Sequence, residues 1–179
     1  MSNLFPMNNR LHAPYFIFMR CAGEYSDADL LAKFGIRKYK RVAEPPQHGP
    51  HATFFDSGDW TMLADDWYYT LWHMATTRPA IRRLSQFSDI YACSVGDCDH
   101  SFDFVYYQAG KLVRKYVVVA DIGTNNSNVV ENTGKQLPGE LEALKLDDQL
   151  ETVLSISDAL GIRRPTPEDE LRFYACPNG

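Results

Sequence analysis

Asp97, Cys98, Asp99 and His100 form the densest run of groups in this chain that could do chemistry. Alternating oxygen donors at Asp97, Asp99, Ser101 and Asp103 suit a calcium loop. Such a loop also needs glycine at its sixth position and a bidentate glutamate at its twelfth, where this chain carries Phe102 and Gln108. A zinc site drawn from Cys93, Cys98 and His100 lacks the second close pair of ligands that structural zinc sites use. Cys93 also alternates with Tyr91 and Val95, which fits a small apolar side chain facing a core. Cys98 beside His100 is a candidate nucleophile and base, because an imidazole can hold a neighbouring thiol as thiolate. The sequence offers no third group to orient that pair. No catalytic residues, metal ligands or cofactor are therefore assigned, and the phosphate-binding, dinucleotide-binding, zinc-protease and serine-hydrolase signatures are missing.

Two further groups deserve a chemical reading. Asp65-Asp66 precedes an aromatic run that contains His73, but adjacent aspartates diverge on a helix, so only one can join His73, and capping explains the pair more simply. The ribbon Arg37-Lys38-Tyr39-Lys40-Arg41 joins basic residues to a stacking platform, as a nucleic-acid contact would. Edge strands use Lys and Arg for another reason, to block pairing with other chains, and that reading is preferred. A net charge of -5 also disfavours general nucleic-acid affinity.

The elements that must position these groups read as a mixed fold. Tyr15 to Cys21 is a dense β-prone run. Ser26 caps a short helix that Gly35 closes, and residues 36–43 make an edge strand. Asp56-Ser57-Gly58-Asp59 turns a hairpin between 52–55 and 60–63. Residues 66–74 are aromatic and fit strand or helix. A helix over 78–87 has Thr77 as cap, with Ile81, Leu84 and Phe87 on one side. Strands follow at 90–95, 102–107 and 112–120, the last two joined through Gln108-Ala109-Gly110-Lys111. Residues 124–128 read as loop, 147–160 as an amphipathic helix ending at Gly161, and Thr166-Pro167 as the start of a final short helix.

The expected fold is a single α+β domain over residues 1–179. It has a mainly antiparallel sheet of five to seven strands with helices packed mostly on one face. Residues 1–14 form an extended arm and 162–179 a C-terminal tail with a short helix. No apolar run approaches a membrane span, and four spread cysteines without a Cys-x-x-Cys pair predict a reducing cytoplasm. Residues 51–109 hold eight Asp and no Glu against Arg78, Arg82 and Arg83, so they predict solvated turns or an acidic face for a basic partner.

A resemblance adds to this reading. Its residues are Trp60, Leu63, Asp65, Asp66, Trp67, Thr70, Leu71, Trp72 and His73, then Cys93, Gly96-Asp97, Ser101 to Phe104, Gly110, Leu112, Arg114 and Tyr116, and last Gly134 with Leu137-Pro138-Gly139-Glu140. Over residues 55–160 the chain resembles small bacterial proteins of which some are similar to immunity proteins that neutralise toxins of interbacterial competition. The resemblance implies a non-catalytic inhibitor that binds a toxin or effector protein. The contact residues then expected are Asp56, Asp59, Asp65, Asp97, Asp99 and His100 on exposed turns, with Trp60 and Trp67 as aromatic anchors. The alternative is a small hydrolase or transferase built on the Cys98/His100 loop, with or without a metal.

Overall fold

A computed structural model describes residues 14–20, 24–46, 50–65, 71, 76–96, 100–120 and 127–177. The run Tyr15 to Met19 has no polar alternation, so a strand built from it must be covered on both sides. It forms β1 (Tyr15–Arg20), the middle strand of a nine-stranded sheet. Its neighbours β4 (Trp60–Asp65) and β5 (Ile90–Val95) are buried at every position. The order is β2-β9-β3-β4-β1-β5-β6-β7-β8, with β2 Lys40–Val42, β3 His51–Ser57, β6 Phe102–Gln108, β7 Lys111–Ala120, β8 Ser127–Gly134 and β9 Arg172–Ala175. All neighbouring strands are antiparallel.

Two cores follow from the pleat, since successive side chains point to opposite faces. Phe16, Phe18, Met62, Tyr91 and Phe104 lie on one face, where α3 (Glu140–Ala143) and α4 (Gln149–Ala159) pack. Ile17, Met19, Phe54, Leu63 and Ala92 lie on the other, under α1 (Asp27–Lys33) and α2 (Thr77–Leu84). Helices pack on both faces, where most were expected on one. The cause is the unbroken apolar character of the central strands, which leaves neither face fit for water.

Local chemistry sets several boundaries as expected. Ser26 and Asp29 make a capping box at α1, and Gly35 follows it at φ 88°. Gly58 turns the β3–β4 hairpin at φ 61°. Ala109 and Gly110, at φ 48° and 76°, give the paired positive values of a tight turn between β6 and β7. Asp148 caps α4 by accepting from the Glu151 amide, and the Tyr91 hydroxyl donates to the Val153 carbonyl at 2.8 Å, tying α4 to β5.

Other boundaries differ. Nine strands exceed the five to seven expected, because β8 and β9 have weak local signals. Ser127–Gly134 carries two Asn and a Gly and becomes a strand by pairing with β7. The C-terminal residues are no tail: β9 inserts between β2 and β3, and residues 167–169 form a turn instead of a helix. That turn is held by Asp169, which accepts from the Thr166 amide and pairs with Arg163. The N-cap of α2 is Thr76, one residue before the expected Thr77, and Phe87 is 80% exposed instead of sharing the buried side of Ile81 and Leu84. Residues 1–13 and most of 66–75 lie outside the described residues.

Candidate functional site

The expected contact residues divide between the two ends of the sheet. Trp60 and Asp65 bound β4, so about 17 Å of strand separates them. At the hairpin end, Asp56 accepts from Thr61 at 2.9 Å and Arg172 at 2.6 Å, and Arg172 also grips Asp27. Partial burial works against ionised Asp56, but these hydrogen bonds outweigh it and hold its pKa below the usual value. Asp59 accepts from Arg20 at 2.7 Å, and that bond lowers its pKa. These carboxylates are exposed but already neutralised within the chain. Trp60 is 4% exposed and belongs to the core with Phe55 and Met62, so it is not an exposed anchor.

Asp65 is buried and not on an exposed turn. It is 3% exposed, and its Oδ2 accepts the Leu71 amide at 2.7 Å. His100 is exposed at the same end, with Nδ1 3.0 Å from Gln149 Nε2 on α4. The Gly96 amide donates to the Ser101 carbonyl at 2.8 Å and closes the β5–β6 connection. Trp67, Asp97, Cys98 and Asp99 lie outside the described residues. Cys93 is buried in the core, and burial pushes its thiol well above its usual pKa. Among the described residues no three His, Cys, Asp or Glu side chains could hold a metal ion together.

The sheet brings together a row that sequence reasoning missed. Asp65, Tyr15, Ser94 and Asp103 stand opposite one another on adjacent strands β4, β1, β5 and β6. Directly opposed residues share a face, so this is one polar row at the margin of an otherwise apolar surface. The Ser94 hydroxyl donates to the Asp103 carboxylate. Burial raises the Asp103 pKa, and Ser94, Arg78 and Lys115 offset that only in part. Burial and then the Asp103 charge push Tyr15 far above its ordinary value, so its phenol stays a neutral donor.

Asp103 has a measurable consequence. Its pKa is higher in the folded chain than the ordinary aspartate value of about 3.9, so between those values the folded state binds more protons. Its contribution to stability therefore falls as pH rises through that window, and the loss is complete above the raised pKa. Asp103→Asn keeps an acceptor for Ser94 without the charge. In urea unfolding across a pH series, the variant's stability relative to wild type is expected to rise from acid to neutral pH. A pH-independent difference would mean that Asp103 titrates normally.

A second surface lies at the β7–β8 margin. Seven large hydrophobic side chains are exposed among the described residues. Leu112, Val119, Val129, Val130, Leu141 and Leu146 belong to β7, β8, α3 and the stretch after α3, leaving only Phe87 elsewhere. Arg114 on β7 pairs with Glu140 on α3 and donates to Asn132 and Thr133 on β8, which fixes these elements together. The exposed apolar side chains do not share one face: Val129 stands opposite Val118 on the α3 side of the sheet, whereas Leu112, opposite Tyr107, and Val119 lie on the other side, so both sides of this margin carry exposed apolar groups. The signal in the sequence is slight: Val129-Val130 and the leucines of 141–146 sit in polar surroundings.

Comparison of the chain with protein-family models, curated proteins and solved structures found no match in any of the three. The geometry defines an α+β protein with a continuous antiparallel sheet between two helical layers. No helix among the described residues is long and apolar enough to cross a membrane.

Proposed function

We propose that this protein is a non-catalytic inhibitor that binds an effector or toxin protein, the role implied by the resemblance, and that it does so through its β7–β8 margin. The observation that carries the reading is that six of the seven large hydrophobic side chains exposed among the described residues fall on β7, β8, α3 and the stretch after α3. Apolar anchors with a surrounding polar rim are the usual anatomy of a protein interface. The acidic hairpin end is a poorer contact surface, because Arg20 and Arg172 already occupy Asp59 and Asp56. Free thiols at Cys93 and Cys176 agree with a cytoplasmic setting.

The test is an activity assay. Full-length protein is expected to bind a purified cognate effector at fixed stoichiometry and to abolish its activity. Leu141→Glu is expected to weaken that inhibition while leaving the fold intact. An effector that binds without losing activity, or inhibition indifferent to this margin, would overturn the reading. A hydrolase or transferase remains the second reading. It is favoured by the partly buried Asp103 beside Ser94 and Tyr15, at the same end of the sheet as His100.

A further inference from the structure

We infer that the β7–β8 margin is covered, in the free protein, by a second copy of the same chain, through antiparallel pairing of β8 with its symmetry mate. This rests on the reading of that margin as an interaction surface and adds what occupies it before any effector does. β8 is the last strand of the sheet, eight residues long, exposed at every position except the half-buried Glu131. Among the described residues no strand pairs with its outer side.

The two edges of the sheet are built differently. β2 has three residues, Lys40, Arg41 and Val42, and so carries the shortness and basic charge that discourage pairing. β8 has no Lys, Arg or Pro in Ser127–Gly134. Its one ionisable side chain, Glu131, is ion-paired with Lys115 on the neighbouring strand. Two copies can therefore meet along β8 without opposing unpaired like charges, despite a net charge of -5. A strongly charged partner would find no opposite charge on this edge to match.

Symmetry favours the same occupant. A strand paired antiparallel with its own copy makes a closed two-fold contact, in which one patch serves both partners. Val129 and Val130, 52% and 59% exposed, would then be contributed twice. Leu112 and Val119 on β7 add exposed apolar groups on one face of the sheet, and Leu141 on α3 adds one on the other. The register shifts where Val117 and Val118 meet Glu131 and Val129, leaving Val130 as the extra residue of a bulge. Bulges sharpen local twist and so discourage a generic flat strand, whereas a symmetry mate carries the same twist.

The experiment is light scattering coupled to size exclusion, on full-length protein at tens of micromolar. Wild type is expected to run as a dimer. The double variant Val129→Lys/Val130→Lys places like charges along the paired edge and is expected to weaken the dimer about tenfold or more. Its circular dichroism should match wild type, since both positions are exposed. A monomeric wild type, or a folded variant that dimerises unchanged, would refute the inference. If the variant fails to fold, hydrogen exchange on wild type decides. Protection of amides 127–134 rises with protein concentration in a β8-paired dimer, and constant protection rejects it. A monomer that still inhibits its effector removes this inference and leaves the proposed function standing. A dimer that inhibits nothing does the reverse.

Discussion

Replacing Glu140 by alanine is expected to lower the free energy of unfolding by about 3–5 kcal/mol, the range for breaking a buried ion pair from one side. Glu140 is 0% and Arg114 1% exposed. Arg114 Nε reaches both carboxylate oxygens, at 3.1 and 3.0 Å, and Nη2 reaches Oε1 at 2.5 Å. Nη1 donates to Asn132 at 2.8 Å and to the Thr133 carbonyl at 3.0 Å. Glu140 also accepts the Leu137 amide at 2.9 Å. Glu140→Ala therefore strands a buried guanidinium and orphans a backbone donor, and both costs act in the folded state. Removing both charges, as Arg114→Met with Glu140→Leu, is expected to recover much of the loss, because two buried ions no longer need desolvating. Urea titration of both variants checks this. A loss below about 1 kcal/mol for Glu140→Ala would place the pair in the range of solvated surface bridges.

That ion pair also shows what the sequence made legible. Arg114, Tyr116, Gly134, Leu137, Gly139 and Glu140 all belong to the residues that carry the resemblance, and they meet around one buried contact. Their arrangement builds the fold and presents no reactive group to solvent. Strands with dense apolar runs, such as Tyr15 to Met19 and Ile90 to Val95, could be read directly, as could the Gly58 hairpin and the Ser26 cap. These signals are local. β8 and β9 could not be read, because each becomes a strand through neighbours far along the chain. The acidic turns were visible, yet their neutralisation was not: Asp59 meets Arg20 across 39 positions and Asp56 meets Arg172 across 116. The apolar margin was hidden for a related reason. Val129 and Val130 are exposed because topology puts β8 at an edge, and strand order is not written in any one segment.

Gly134 is where that edge is most open to attack. Gly134→Ala is expected to cost more than about 3 kcal/mol, in the range reserved for backbone clash or buried defects. Its φ is 90°, which an L side chain adopts only with strain, and an added Cβ would lie 2.1 Å from the Val113 carbonyl oxygen. The obstacle is backbone, so no rotamer change relieves it. That carbonyl also accepts the Lys135 amide at 2.9 Å, which ties the end of β8 to β7. Gly58 separates the two causes. Its φ is 61°, but nothing lies within 4 Å of where a Cβ would go. Gly58→Ala should therefore show the conformational cost alone, roughly 1–2 kcal/mol. The excess loss in Gly134→Ala measures the close approach of the two strands. Because that approach seats β8, amide protection should fall first at 127–134 and the dimer should weaken, while the β1, β4 and β5 core stays protected. Equal losses in the two variants would mean that positive φ sets the whole cost. Gly134 would then be a turn residue and not the fastening of the edge strand.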